Sequence, residues 1–263
     1  MAMPEGDTVY QAARRLDAAL TGNVVTVCDI RVPRYATIDL TGERVREVVS
    51  RGKHLLIRVG GRTIHTHLKM EGVWEVYPNG ARWRHPGYQA RIVLGTETNQ
   101  VVGFQLGIVE VLPTERESGA IGHLGPDLLD ADWSSEHANE AIRRIEAHPD
   151  TPVAVALLDQ RNLAGIGNVY ANELCFLRGM LPTRPVREAD IPATVDLAHR
   201  LLVANRDRPM RVTTGISVRG RTTWVYGRRG QLCRRCGTVL QHGVLGRKEG
   251  EERVIVFCPT CQT

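Results

Sequence analysis

A proline and a glutamate lie side by side near the start of the sequence, in the stretch MAMPEG. If Pro4 is the amino-terminal residue of the active protein, its secondary amine can attack an electrophilic carbon, with the acid Glu5 beside it. An α-amino group with a pKa of about 8 is roughly 10% unprotonated at pH 7, whereas an ordinary lysine is below about 0.1%. We therefore expect that translation effectively begins at Met3, or that the active form otherwise exposes Pro4. A start at Met1 would leave the proline nitrogen in a tertiary amide.

Four cysteines near the other end of the sequence form two C-x₂-C pairs separated by 21 residues, with Cys233 and Cys236 in the first pair and Cys258 and Cys261 in the second. Four thiolates at this spacing suit a tetrahedral Zn²⁺ site of the zinc-ribbon type. A redox pair is the alternative for a single C-x₂-C, but two pairs favour a metal. Because four sulfurs leave no open position for water or substrate, we predict one structural zinc ion. This prediction disfavours a zinc hydrolase.

Lysine is rare in this chain, because only Lys53, Lys69 and Lys248 occur among its 34 basic residues. A lysine can give up a proton, whereas an arginine effectively never does, so each lysine is a candidate for proton transfer. Lys53 follows Gly52 at the start of an apolar run, where a solvated lysine at a strand edge is the ordinary explanation. The residues alone leave both interpretations open.

The stretch HTHLKMEG combines two histidines with a predicted turn. His65 and His67 lie two residues apart, so they face the same side of a strand and could suggest a metal site. A third ligand at a suitable spacing does not accompany them. Lys69 and Met70 fall at the predicted tip of the turn, where an exposed methionine is a candidate wedge for insertion between stacked bases.

Three kinds of sequence pattern predict the helices and strands that must position these residues. A helix is predicted after a cap at Asp7 or Thr8, with a terminating glycine at position 22 and one apolar face formed by Val9, Ala12, Ala13, Leu16 and Leu20. Residues 24–113 contain β-rich runs of period two, which predict an antiparallel sandwich or barrel. The pattern is helical over residues 126–205, and a bridge rich in glycine and arginine then leads to the cysteines. We predict a multi-domain α+β protein with domains at 1–125, 126–222 and 223–263.

The central loop NLAGIGN joins two predicted helices. Gly165 and Gly167 permit tight turns, and the N–H groups of the loop run into the second helix, where an anion is favoured. Asn168 lies at this entry and could bind a phosphate or simply cap the helix. As a phosphate loop the motif is weak, since it lacks the Lys-Ser/Thr of a P-loop.

Basic residues are concentrated at the C-terminal end of the chain. Residues 211–263 contain ten Lys and Arg against three acids, a net charge of +7, so the other 210 residues carry −2. Such a segment suggests a polyanion as partner, although a solvated basic tail is a comparable explanation. Within it, a predicted hairpin ends in a strand over 253–257. Arg253 at the mouth of that strand could grip a phosphate, or it could be an ordinary surface arginine.

The sequence has no apolar run of about 18 residues and no basic-then-apolar leader, so we expect a cytoplasmic, nucleoid-associated protein without a signal peptide. Together, MPEGDTV, RGKHLL, HLKMEGVW, GHLGPDLL, DQRNLAGIGNVYANE and RVIVFCPTCQ resemble the formamidopyrimidine-DNA glycosylase and endonuclease VIII family over nearly the whole chain. The first two motifs are more similar to the endonuclease VIII branch.

The resemblance implies an N-terminal β-sandwich with a leading helix, a helix-two-turn-helix domain and a C-terminal zinc finger, with DNA between them. By similarity, Pro4 is the nucleophile, Glu5 is the acid that acts at the sugar, and Lys53 is a second proton donor that also contacts phosphate. Arg253 is the finger residue at the damaged site, and Asn168 contacts phosphate. The positions that match further DNA contacts are Lys69, Met70, which lies near the void-filling residue, and His123.

The resulting prediction is a bifunctional DNA glycosylase and AP lyase of base excision repair. It acts as a monomer on damaged double-stranded or single-stranded DNA, prefers oxidised pyrimidines, and nicks the strand by β,δ-elimination. Two alternatives remain open: an oxidised-purine glycosylase, and a non-catalytic zinc-dependent protein that binds damaged DNA while Pro4 is blocked. Pocket-lining loops decide the substrate, and a single sequence does not reveal them.

Overall fold

The computed structural model describes residues 4–248 and 250–263, so the choice between Met1 and Met3 lies outside the described residues. The first helix, α1, spans Gly6–Leu20. All five apolar residues predicted for its inner face are buried. Asp7 and Thr8 lie inside the helix, so the prediction that one of them is its N-cap is wrong. Gly22 follows the helix with φ of +82°, a conformation that glycine adopts without strain.

Eight strands form two four-stranded antiparallel sheets, which confirms the predicted β-sandwich. One sheet has the order β1-β6-β7-β5, with β1 Val27–Ile30, β5 Val73–Pro78, β6 Ala90–Gly95 and β7 Asn99–Phe104. The other has the order β2-β3-β4-β8, with β2 Val45–Arg51, β3 His54–Val59, β4 Arg62–His67 and β8 Ile108–Pro113. Apolar residues of both sheets and of α1 share one core.

Five further helices follow the sheets. They are α2 Glu117–Ile121, α3 Ser135–Glu146, α4 Val153–Leu158, α5 Asn168–Leu177 and α6 Ile191–Asn205. Short 3₁₀ turns occur at Pro33–Tyr35, Gly87–Gln89, Thr114–Arg116 and Val186–Glu188. The predicted helical region therefore holds four separate helices, and α5 is buried along almost its whole length.

The cysteine segment contains a hairpin in which β9 Gln241–Leu245 pairs antiparallel with β10 Arg253–Phe257. The predicted strand over 253–257 is confirmed to the residue. Within this strand Ile255 and Val256 are buried and Arg253 is exposed.

The chain divides into two compact units, one of Met1–Asp7 with Leu124–Thr263 and the other of Thr8–His123. We call them the α5 unit and the sandwich unit. The division falls inside α1. The helical and cysteine regions belong to one unit, and the three-domain division of the sequence stays a prediction.

Among the described residues, no helix combines the length and the apolar character needed to cross a membrane.

Candidate active site and metal centre

The carboxylate of Glu5 lies at the N-terminus of α5 and is fully buried. It accepts hydrogen bonds from the backbone N–H groups of Gly167 at 2.7 Å, Val169 at 2.6 Å and Tyr170 at 3.3 Å. These N–H groups have no partner within the helix, and the helix dipole favours an anion at this end. The central loop was predicted to favour an anion, and the anion at this position is the protein's own Glu5.

Glycine is required where the N-terminal segment meets the central loop. A Cβ on Gly167 would lie 2.5 Å from Cδ of Glu5, and one on Gly6 would lie 2.9 Å from Cα of Gly165. Gly165 itself has φ of +110°. The N–H of Gly6 donates to the carbonyl of Gly165 at 2.9 Å. Side chains at these glycines would push Glu5, and with it the half-buried Pro4, away from α5.

Asp7, which follows Gly6 in α1, forms a buried ion pair with Arg211. Arg211 Nε donates to Asp7 Oδ2 at 2.7 Å, and the hydroxyl of Tyr170 donates to the same oxygen at 2.9 Å. The Arg211 guanidinium also lies 4.9 Å from the centroid of the Tyr170 ring and 3.8 Å from Glu5 Oε1. Burial works against the charge on Arg211, but Glu5 and Asp7 outweigh it and raise its pKa. Burial and the Asp7 carboxylate raise the pKa of Tyr170, which stays a neutral donor.

Glu173, on α5, is a second buried carboxylate with backbone partners. It accepts from the N–H groups of Trp224 at 2.7 Å, Val225 at 2.9 Å and Tyr226 at 2.8 Å, and from the hydroxyl of Thr213. Burial raises the pKa of Glu173, and these hydrogen bonds oppose that rise. Glu173 therefore fixes the segment after α6 against the helix that also holds Glu5.

Asn168 is the first residue of α5, and Gly167 is the N-cap, so the interpretation of Asn168 as the cap is wrong. Its side-chain amide donates to the carbonyl of Val254 in β10 at 3.0 Å. The exposed Arg253 begins β10, and its guanidinium donates to the carbonyls of Glu251 and Glu252 at 3.2 and 3.0 Å. Asn168 and Arg253 thus lie on joined elements of the α5 unit.

The four predicted cysteine ligands converge beside this hairpin. All four sulfurs lie within 4.8 Å of one another, with Cys233 and Cys261 at 4.0 Å and Cys236 and Cys258 at 3.4 Å. Four Zn–S bonds of about 2.3 Å would place tetrahedral sulfurs roughly 3.8 Å apart, so these donors fit such an ion. Elsewhere in residues 4–248 and 250–263, no His, Cys, Asp or Glu group has this geometry.

Lys53, Lys69, Met70 and His123 all belong to the sandwich unit. Half-buried Lys53 lies in the two-residue turn between β2 and β3, directly before the apolar strand, as predicted. Lys69 and Met70 occupy the turn between β4 and β5, which also confirms its predicted tip. Lys69 has φ of +56°, and the Met70 side chain is 61% exposed.

Histidines surround the base of these turns. Nδ1 of His54 lies 2.7 Å from Nε2 of His65, and Nδ1 of His65 lies 2.9 Å from the Glu110 carboxylate. Because a carboxylate only accepts, His65 carries a proton on Nδ1 and donates it to Glu110. The rings of His67 and His123 lie 5.0 and 6.2 Å from that of His54.

Burial and the neighbouring basic groups keep His54 and His67 uncharged. Desolvation, followed by the nearby histidines and Lys69, lowers the pKa of His54 to about 3. Desolvation, Lys69 and Lys53 lower the pKa of His67 to about 4. Nδ1 of His67 accepts the backbone N–H of Lys69 at 2.9 Å, so its proton lies on Nε2.

Sequence reasoning missed the partners that surround the predicted residues. Asp7 was considered only as a cap, and Tyr170, Glu173 and Arg211 were given no role. A signal was present for Glu173, which is the only Asp, Glu, Lys or Arg in α5. The partners of Glu5 are 162 to 165 residues away in sequence, and Arg211 is 204 residues from Asp7, so spacing carries no signal for either contact.

Known proteins are similar to this chain over 99% of its length. Residues 3–105 match the Formamidopyrimidine-DNA glycosylase N-terminal domain, and residues 124–204 match the Formamidopyrimidine-DNA glycosylase H2TH domain. The chain is 54% identical to "Probable endonuclease 8 2" of Streptomyces coelicolor, over 99% of this chain and 94% of that protein. It is 50% identical to the "DNA-(apurinic or apyrimidinic site) lyase Nei2" of Mycolicibacterium smegmatis, over 99% of both chains.

A solved structure shares the fold across the same length. The Lactococcus lactis formamidopyrimidine-DNA glycosylase, bound non-covalently to DNA with an AP site, superposes with a TM-score of 0.76 at 21% identity, over 98% of this chain and 99% of that one.

Proposed function

The chain belongs to the formamidopyrimidine-DNA glycosylase and endonuclease VIII family and is a DNA glycosylase and AP lyase of base excision repair, and we propose that its reaction proceeds through a Schiff base at Pro4. The observation that carries this proposal is the hydrogen-bonded cage around Glu5. A carboxylate held by three backbone N–H groups, in the residue that follows Pro4, has one fixed position relative to the proline nitrogen. Fixed geometry is what a two-step covalent reaction requires.

The first steps release the base and join the protein to the sugar. Extrusion of the damaged nucleotide exposes C1′, which the Pro4 nitrogen attacks while the base departs. Glu5 then takes the proton that the new C1′–N bond leaves on the Pro4 nitrogen and delivers it to the ring oxygen O4′, so that the C1′–O4′ bond breaks and the nitrogen lone pair forms the iminium. Oε2 of Glu5 accepts two backbone N–H groups and Oε1 accepts one, so Oε1 has the remaining hydrogen-bonding capacity for this exchange.

The later steps cut the strand. Because the proline nitrogen is secondary, its adduct with C1′ is an iminium cation, which acidifies the C2′ proton. Loss of that proton expels the 3′ phosphate by β-elimination, and a second elimination expels the 5′ phosphate. We assign Lys53 as a proton donor and Arg253 as a phosphate contact in these departures, on the family pattern.

The DNA contacts follow from the same pattern. We propose that Asn168 binds a phosphate, that Met70 fills the space left by the extruded nucleotide, and that Lys69 and His123 contact the strand. The exposure of Met70 and its place at a turn tip support the wedge role. The DNA-bound structural neighbour supports DNA as the partner. We further propose that the enzyme is a cytoplasmic, nucleoid-associated monomer and that its three domains divide at 125 and 222.

A structural Zn²⁺ at the four cysteines is part of this proposal. The cysteines hold the base of the β9–β10 hairpin, so the metal would support Arg253 without taking part in chemistry. Replacing Cys258 with serine should weaken DNA binding and nicking together while the sandwich unit stays folded. Full nicking after verified loss of the metal would show that the ion is dispensable.

Borohydride trapping tests the nucleophile. An abasic duplex should form a covalent complex with protein that begins at Pro4 and not with protein that retains Met3, because only the first has a free secondary amine. Binding of both proteins to a duplex with a reduced, uncleavable abasic analogue controls for folding. Equal trapping by a verified unprocessed protein would remove Pro4 as sole nucleophile and point to Lys53. Binding by both proteins without any trapping would favour the non-catalytic alternative.

Excision rates on a panel of duplexes test the substrate preference. We expect thymine glycol, dihydrouracil and 5-hydroxycytosine to be released faster than 8-oxoguanine, because the motifs of the sequence resemble the endonuclease VIII branch. Fastest release of 8-oxoguanine would replace the pyrimidine preference with the purine alternative.

A further inference from the structure

The hairpin of the cysteine segment has one edge that no strand covers in the part of the chain the structure describes, since β10 pairs with β9 alone. Two asparagines from α5 lie along that edge. Oδ1 of Asn172 accepts the N–H of Val256 at 2.6 Å, and Nδ2 of Asn168 donates to the carbonyl of Val254 at 3.0 Å. This acceptor and donor meet the same two backbone groups that one residue of a neighbouring parallel strand would meet.

The Asn172 amide has one allowed orientation. Its Nδ2 donates to the carbonyl of Asn168 at 2.7 Å, and the residue is 1% exposed. Rotating the amide by 180° would set an NH₂ group against the N–H of Val256 and an oxygen against a carbonyl. A buried amide with fixed polarity therefore locks the register between α5 and β10.

That register matters because β10 begins with Arg253. Val256 lies three positions after Arg253, a distance of roughly 10 Å along an extended strand. The N-terminal turn of the same helix holds Glu5 through the N–H groups of Gly167, Val169 and Tyr170. One helix thus carries the caged carboxylate at its end and the arginine-bearing strand on its side.

We propose that Asn172 is a positioning residue for Arg253, which it keeps in register with Glu5 by holding the free edge of β10 on α5. The inference rests on the proposed role of Arg253 in binding DNA. It identifies an anchor that differs from the metal site. Cys258 follows β10 and fixes its far end, whereas Asn172 fixes the middle of the strand.

A double-mutant cycle on nicking of an abasic duplex tests the proposal. Asn172→Ala and Arg253→Ala should each slow nicking at least about tenfold, and the double variant should be no slower than Arg253→Ala, because Asn172 acts through that side chain. Asn172→Asp keeps an acceptor for the N–H of Val256 but loses the donor to the carbonyl of Asn168, so it should recover part of the lost rate. Losses that multiply in the double variant would overturn the proposal.

Amide hydrogen exchange gives a measurement that does not depend on activity. The N–H of Val256 should exchange at least about tenfold faster in Asn172→Ala than in the parent and stay protected in Asn172→Asp. Metal content should stay at one ion per chain in both variants. Unchanged exchange at Val256, or loss of the metal in Asn172→Asp, would overturn the proposal.

The two measurements separate this inference from the function on which it rests. If Arg253→Ala nicks as fast as the parent, the proposed role of Arg253 fails. Faster exchange at Val256 in Asn172→Ala would then still establish Asn172 as the anchor of β10, while its link to catalysis would be refuted.

Discussion

The surroundings of α5 and the histidine cluster of the sandwich unit accommodate ionisable side chains in opposite ways. Around α5, the carboxylates of Glu5, Asp7 and Glu173 are buried, and each faces backbone N–H groups or a guanidinium. In the histidine cluster, burial and nearby lysines hold His54 and His67 uncharged.

The difference shows what a buried charge requires. Removing a carboxylate from water costs several kcal/mol unless oriented donors replace the water, and helix ends and turns supply such donors in fixed positions. A protonated histidine would instead need oriented acceptors, and His54 and His67 have histidines and lysines nearby, so they lose the proton instead of keeping the charge. The α5 region therefore surrounds its buried carboxylates with oriented donors, and the other region places the neutral rings of His54 and His67 beside Lys53 and Lys69.

The largest effect is expected at Glu173. Replacing it with alanine leaves three backbone N–H groups and the hydroxyl of Thr213 without their acceptor, which should lower the free energy of unfolding by about 3–5 kcal/mol. Urea denaturation measures this loss. The exposed Glu136 is the matched control, and its replacement by alanine should cost less than about 0.5 kcal/mol. Equal losses of free energy of unfolding at the two positions would show that the hydrogen bonds around Glu173 do not make it more important for stability than an exposed carboxylate.

The next largest effect concerns the buried pair of Asp7 and Arg211. Asp7→Asn or Arg211→Met alone should cost about 3 kcal/mol, since each leaves the other charge buried with its partner removed. The double variant should cost less than the sum of the two, with a coupling free energy of about 1–2 kcal/mol in urea denaturation. If the losses in free energy of unfolding of the two single variants simply added in the double variant, Asp7 and Arg211 would stabilise the protein independently and not as a pair.

Lowering the pH should reduce the stability of the protein through His54 and His67. The pKa values of about 3 for His54 and about 4 for His67 lie below the ordinary value near 6.5, so the unfolded chain takes up protons first as the pH falls. The stabilisation is complete above pH 6.5 and is lost towards pH 3–4, by about 2 kcal/mol per histidine between pH 7 and pH 5.

Histidine NMR and a substitution can check this prediction. Both rings should stay neutral at pH 5, and His54→Phe should reduce the loss of stability between pH 7 and pH 5. If either ring titrated near pH 6.5, it would be charged at pH 5. The conclusion that burial keeps His54 and His67 neutral would then be wrong.

The smallest effect is expected at Met70, beside the same cluster. Its side chain is 61% exposed, so Met70→Ala should change the free energy of unfolding by less than about 0.5 kcal/mol. Met180, which is 4% exposed, is the matched control, and its replacement by alanine should cost about 2–4 kcal/mol. If Met70 is the proposed wedge, its variant should still bind lesion-containing duplexes more weakly. Unchanged affinity would leave Met70 an ordinary exposed residue.

Local patterns in the sequence predicted local structure well. The apolar spacing identified the buried face of α1, the alternation over 253–257 identified β10, and the cysteine pairs identified the four converging sulfurs. Motif resemblance extended this to the family, which the comparisons confirm. The roles assigned to the individual catalytic and DNA-binding residues stay predictions.

The arrangement around the predicted residues could not be obtained in this way. The cage around Glu5 depends on N–H groups, which every residue type except proline possesses, so composition gives no sign of it. The contact of His54 with His65 depends on the register of β3 and β4, and a shift of one residue would separate the rings. Asn172 lies within a helix, and its partner Val256 in β10 is 84 residues away, so the sequence gives no sign of their contact.

The long sequence separation between Glu5 and its cage also sets an order of events during synthesis. Glu5 is made before its hydrogen-bond partners, which are 162 to 165 residues further along the chain. The N-terminal segment cannot dock until the ribosome has released α5, and closing so long a loop is a slow, non-local step. An aminopeptidase or methionyl-processing enzyme therefore has access to the segment before Pro4 throughout that interval. Catalytic competence then requires α5 to be made and Glu5 to dock on it, so a lyase assay on nascent or refolding protein reports on that docking.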